Sequence, residues 1–182
     1  MLETKIPFTI KSLEDAQSIF DNLEVVSLDF MYGRWYGWEC ITGHPMEGML
    51  EASGWYGKWF EDADHVHPLL LWTTNKKSLY AVNPALAFIF TRLQLPPSIV
   101  RFLSAFAKPF IQTRRSRARL RMTAYKGKVS ATMCYDQLPI HDIFRKVDED
   151  TVMGLMDNKS DRQVYFFFLR KASDPIQVKG LY

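Results

Sequence analysis

Gly33-Arg34-Trp35-Tyr36-Gly37 is the stretch on which the fold turns. A tryptophan set between two glycines is a packing device. The glycines let backbone or another side chain come close, while the indole fills the base of a core and keeps one N–H for a specific partner. Residues 34–41 alternate, with Trp35, Gly37, Glu39 and Ile41 on one face and Tyr36, Trp38 and Cys40 on the other, which predicts a strand. Upstream, Ser12 suits the N-cap of an amphipathic helix reaching about Asn22, with Asp15 placed as a capping-box acid. Downstream, Met49, Leu50, Trp55 and Trp59 fall at helical spacing, although Gly48, Gly54 and Gly57 oppose it, so a helix or helix-loop insertion is expected from His44 to about Phe60.

Beyond this insertion, Pro68–Thr74 and Ser78–Val82 read as strands around the turn Asn75-Lys76-Lys77. Pro84–Phe90 and Ser98–Phe106 read as helices split by Pro96-Pro97, placed to lie across an opening as a lid. Period two then returns in Ala118–Tyr125, Lys128–Tyr135, Ile140–Val147, Thr151–Met156 and Val164–Arg170, with Lys126-Gly127 and residues 148–150 as turns. Eight strands in sequence predict a mainly β fold: an antiparallel up-and-down barrel with an N-terminal helix and helical insertions. A sandwich is the alternative. Closure also removes exposed edges beside the apolar run Tyr165-Phe166-Phe167-Phe168-Leu169. The expected organisation is one domain over residues 1–182, with a lid or insertion at 84–113 and the remaining barrel strands at 114–182.

Composition agrees with one core, since the chain has 182 residues, 47% of them apolar and 14% aromatic. Cys40 and Cys134 lie in apolar strand-like stretches and no apolar leader opens the sequence, so a reducing, cytoplasmic setting is expected. The apolar region 84–111 is broken by Arg92, Pro96, Pro97 and Arg101, which argues against a transmembrane segment. Of the 23 basic residues, seven fall between Arg114 and Lys128, leaving 16 basic against 20 acidic elsewhere. Such a strip can meet an anionic partner or serve as a solvated strand face. Arg115, Arg117, Arg119 and Arg121 share one face if extended, and that face has no aromatic platform for stacking bases, so a nucleic-acid partner is not expected. Arg121 is the one that a bulge could turn inward to clamp a carboxylate.

Glu39 shares the parity of Trp35 and so points inward. With Lys58, Tyr56 or an arginine as partner, it could anchor a polar group in an aromatic pocket formed by Trp55, Trp59 and Trp72, with Tyr135 a further candidate. His44, in Thr42-Gly43-His44-Pro45, lies where a loop could present it over a barrel mouth. His65 and His67 lack a third clustered ligand, so no metal site is expected. His141-Asp142 near Asp136 offers an acid–base pair, but strand neighbours face opposite ways and only one of the two can enter the interior. No nucleophile elbow, phosphate loop or dinucleotide fingerprint is present. The expected function is binding of a small apolar or amphipathic ligand. The rival is a small enzyme acting through Glu39, His44 or Asp136.

Gly33–Gly37, Thr42-Gly43-His44-Pro45, Gly48-Met49-Leu50-Glu51 and Trp55-Tyr56-Gly57-Lys58 resemble the GXWXG domain family over residues 24–83. Arg117–Arg121, Val129–Met133, Tyr135-Asp136, Leu138-Pro139-Ile140 and Phe144–Asp148 resemble the domain of unknown function that commonly follows it. This resemblance implies a domain pair but names no activity and no catalytic residue. A looser similarity is to calycins, the lipocalin and fatty-acid-binding barrels, which pair a Gly-x-Trp on the first strand with an Arg or Lys near the end of the last. It implies a latch of Arg170 across Trp35. Nitrobindin-type barrels hold haem through one histidine, so the similarity also implies a haem-binding alternative, with His141 as the ligand.

Overall fold

A computed structural model describes residues 6–92, 99, 109–173 and 175–181. Its strands are β1 (Glu24–Val25), β2 (Gly33–Glu39), β3 (Trp55–Phe60), β4 (Val66–Trp72), β5 (Leu79–Ala81), β6 (Ala118–Tyr125), β7 (Lys128–Tyr135), β8 (Ile140–Lys146), β9 (Thr151–Asn158) and β10 (Tyr165–Lys171). Helices α1 (Leu13–Asn22), α2 (Leu28–Met31), α3 (Met49–Ser53) and α4 (Pro84–Arg92) complete it. Each of β2, β3, β4 and β6 to β10 pairs antiparallel with the next, and β10 returns to β2, so eight strands close an up-and-down barrel. β1 adds to β8 and β5 adds to β4.

The eight barrel strands are not the eight expected. Residues 78–82 contribute only the appended β5, while β3 arises in the stretch expected to be helical. A short helix does form there as α3, capped at both ends by glycines in the left-handed region, Gly48 at φ 78° and Gly54 at φ 78°. The chain then enters β3 with a bulge, in which Trp55 pairs with Leu71 and Gly57 with Leu70. That extra residue puts Trp55, Lys58 and Phe60 on the inner face and Tyr56 on the outer, a spacing that mimics a helical one.

Three apolar clusters explain the rest of the pattern. Inside the barrel lie Trp35, Trp55, Phe60, Leu69, Met133, Tyr135, Phe144, Met156, Tyr165, Phe167 and Leu169 with their neighbours. On the outer face of β8 to β10, Ala16 and Phe20 of α1 cover Ile143, Met153, Leu155, Phe166 and Phe168. Tyr165 to Leu169 is therefore apolar without interruption because both faces of β10 are covered. Outside β3 to β5, residues 176–181 cover Tyr56, Leu70 and Leu79, and Val178 bridges Leu79. As read from sequence, the Ser12 hydroxyl accepts the Asp15 N–H and caps α1, while the Asp15 carboxylate takes the Lys11 N–H. Ala87 and Phe88 of α4 pack on the interior cluster. The second expected helix, Ser98–Phe106, lies outside the described residues but for position 99.

Trp35 is fully buried at the base, and its indole N–H donates to the Met31 carbonyl at the end of α2, 2.7 Å away. Gly37 leaves room for another indole: a Cβ there would meet the Trp55 ring at 2.3 Å. The cation over Trp35 is the Lys171 ammonium, 5.7 Å from the ring, and this corrects the expected latch. Leu169 and Lys171 take the inner parity of β10, so Arg170 is outward, over Trp38, with its Nε–H on the Thr151 hydroxyl.

Candidate functional site

Among the described residues, the barrel interior holds one buried ion pair. Lys58 of β3 reaches Asp142 of β8, Nζ to Oδ2 2.8 Å, with the two side chains 3% and 1% exposed. The bulges of the β3–β4 pair prepare this position. Between Gly57–Leu70 and Trp59–His67 the register slips again, this time with the extra residue on β4. There the Pro68 carbonyl accepts from Lys58 Nζ at 3.2 Å. Rings enclose the ammonium on its other sides: Phe167 at 5.0 Å, Trp55 at 5.8 Å and Tyr135 at 5.8 Å. Gly154 admits the Phe167 ring, since a Cβ there would lie 2.3 Å from it.

Asp142 is held on its strand between the inward Ile140 and Phe144. Burial pushes its carboxyl above the usual range, and the Lys58 ammonium and the Tyr135 hydroxyl pull it back. Burial, with the Asp142 charge beside it, drives the Tyr135 phenol well above its ordinary value. The Tyr135 hydroxyl thus supplies the carboxylate with a donor beside the Lys58 ammonium.

Other candidates lie apart from this pair. The Glu39 carboxylate accepts the Gly48 and Leu50 N–H groups at 2.7 and 2.9 Å and so anchors the start of α3. Burial first, and Glu39 second, raise the Tyr165 phenol. His44 is buried edge-on against Tyr165, ring centroids 5.1 Å apart, and its Nδ1 accepts the Met46 N–H. Trp55, Lys58 and Tyr135 thus gather at one place, and Glu39 and His44 gather by Tyr165. Tyr56 and Trp72 do not join either group: they meet edge-to-face on the outer surface, rings 5.2 Å apart.

Arg121 is also outward. Its guanidinium donates to the Ala63 carbonyl and lies 2.6 Å from Asp64, so no bulge turns it inward. Arg119 pairs with Asp136 at 2.7 Å, which leaves the arginine row a solvated face with its own acidic partners and puts Asp136 on the surface. His141 is exposed on the outer face of β8, so it does not fit a haem ligand inside the barrel. His67 is buried and bonds Glu61 at 2.9 Å, while His65 is exposed beside Asp62. Among the described residues no group of three or more His, Cys, Asp and Glu is placed to hold a metal ion. Cys40 and Cys134 are free thiols, and burial pushes Cys40 up to about 12. No helix among the described residues is long and apolar enough to cross a membrane.

The sequence offers Asp142 as an acid–base partner of His141, and what it does not reveal is the pairing with Lys58. The signal for an inward Asp142 is a single carboxylate on the face shared by Ile140 and Phe144. Its cation lay in the stretch expected to be helical, so the two could not be placed across one barrel.

Residues 18–76 match the GXWXG protein family, and residues 116–171 match a domain of unknown function, DUF4334. No curated protein matches the chain significantly. The crystal structure of a protein from Thermomonospora curvata is 34% identical, covers 86% of this chain and 84% of its own, and superposes with a TM-score of 0.65. β2 to β4 come from the first matched segment and β6 to β10 from the second, and both join one sheet. The chain belongs to the family in which a GXWXG segment is followed by DUF4334.

Proposed function

We propose that this protein binds a small apolar or amphipathic molecule inside the barrel, with the polar end of the ligand at Lys58, Asp142 and Tyr135. The observation that carries this reading is the buried Lys58–Asp142 pair among the apolar side chains of the interior. Such a pair contributes little to stability compared with apolar residues of the same size, because two desolvated charges offset most of their mutual attraction. Charged groups kept at that cost mark sites. Met133 and Met156 on the same inner surface are adaptable linings for an apolar body. An enzyme working through Glu39, His44 or Asp136 draws no support from their positions: Glu39 anchors α3, His44 Nδ1 is engaged by local backbone, and Asp136 pairs with an exposed arginine.

Native mass spectrometry of protein purified from its own host tests the reading. The expected result is a population carrying one small organic molecule, lost in a variant with Trp substituted for Gly154, where a large side chain would compete with Phe167 for the interior. Only apo protein, before and after incubation with amphipathic probes, would contradict it.

A further inference from the structure

We infer that the α4 end of the barrel docks on an anionic lipid surface, through exposed apolar side chains set beside unpaired cations. Charge distribution is the first observation. Residues 65–135 carry twelve Lys and Arg and no Asp or Glu, which leaves 11 basic against 20 acidic elsewhere. Within that stretch, Arg119 and Arg121 are neutralised by Asp136 and Asp64. Arg114 and Arg115 are exposed and belong to no ion pair among the described residues. The exposed Lys179, equally unpaired, joins them: the Gln112 amide donates to its carbonyl, and a Cβ on the next residue, Gly180, would lie 3.8 Å from Arg114 Nε.

Apolar side chains lie next to these cations. Val82 bridges Gln112 and the Asn83 N–H donates to the Ile111 carbonyl, so the chain just before Gln112 runs beside the start of α4. There Phe110 is 79% exposed and Leu86 39%. An exposed apolar patch rimmed by charge marks an interaction surface. On an anionic bilayer, apolar side chains enter the headgroup boundary while cations meet the lipid phosphates, and stable anchoring combines the two. A soluble polyanion would engage the arginines and leave Phe110 in water. The opposite side of α4 faces inward, where Ala87 and Phe88 pack on the interior cluster. One helix thus separates the docking surface from the interior, and, on the binding reading above, a bilayer held there exchanges the amphipathic ligand with the barrel.

Flotation of the full chain with vesicles tests this, using phosphatidylcholine alone and an equal mixture with phosphatidylglycerol. The native chain is expected to float with the mixed vesicles and not with phosphatidylcholine alone, and to detach as salt is raised. Arg114→Ser with Arg115→Ser is expected to weaken partitioning about tenfold or more. Phe110→Ser with Leu86→Ser, which keeps every cation, is expected to weaken it about fivefold or more. Arg119→Ser with Arg121→Ser removes the same formal charge from a face with its own acids and is expected to change little. A native chain that ignores the mixed vesicles overturns the inference and leaves the binding reading intact. Equal loss in the Arg119 and Arg121 variant overturns it too, because net charge alone would then be adsorbing. Loss with the Arg114 and Arg115 variant but none with the Phe110 and Leu86 variant also overturns it, and assigns the patch to a soluble polyanion. Docking by a chain that takes up no ligand supports the inference and contradicts the binding reading. If a variant does not fold, the native chain on the two vesicle compositions decides alone.

Discussion

Lys58 and Asp142 are separated by most of the chain, yet each makes the other tolerable. Replacing Lys58 with Met leaves a buried carboxylate without its cation, and the expected loss is about 3–5 kcal/mol in chemical unfolding. Adding Asp142→Leu should recover most of it, because the interior then carries no charge to desolvate. A double variant no more stable than Lys58→Met would mean that the pair does not act as a unit. His67 makes a second residue-scale claim. Burial holds its imidazole below the ordinary value of 6.5, against the opposing pull of Glu61, and among the described residues its Nδ1 has no partner for a second proton. A base with a depressed folded value binds protons less well folded than unfolded, so stability present above 6.5 drains away as pH falls below it. Unfolding free energies measured from about pH 7 to about pH 5 should therefore fall less steeply in His67→Gln than in the native protein. Parallel curves would assign the acid sensitivity to other groups.

At the scale of elements, β3 carries the fold and was the hardest to see. Gly57 sits at φ 150°, and a Cβ there would lie 2.0 Å from the Trp35 carbonyl oxygen of β2. Gly57→Ala should cost about 3 kcal/mol or more, read as a lower denaturant midpoint, because both the backbone and the strand contact resist it. An unchanged midpoint would contradict the bulge. The same bulge explains why this element was illegible: period two is the signature of a strand, and an inserted residue breaks it. Trp55 and Trp59 then fall four apart and imitate a helix, although they face opposite sides of the sheet. Strands without such a break, from β6 to β10, stood out in the alternation, and so did the capped α1. The parity of β2 correctly grouped Trp35, Gly37 and Glu39, but parity is silent on partners. Nothing in it distinguishes a Glu39 that anchors α3 from one that meets a ligand.

At the scale of the whole molecule, the barrel separates an inner surface that carries the Lys58–Asp142 pair from an outer surface covered by α1 on one side and residues 176–181 on another. Methionines report on both surfaces: Met133 and Met156 lie within, Met153 lies under α1 and Met122 is exposed. The central claim is that a small amphipathic molecule enters the interior. Methyl NMR of methionine-labelled protein titrated with 1-decanol tests it most directly. Saturable shifts of the Met133 and Met156 methyls, with Met122 and Met153 unmoved, are the predicted result. Shifts confined to Met122 and Met153, or no saturable shift at any of the four, would contradict it.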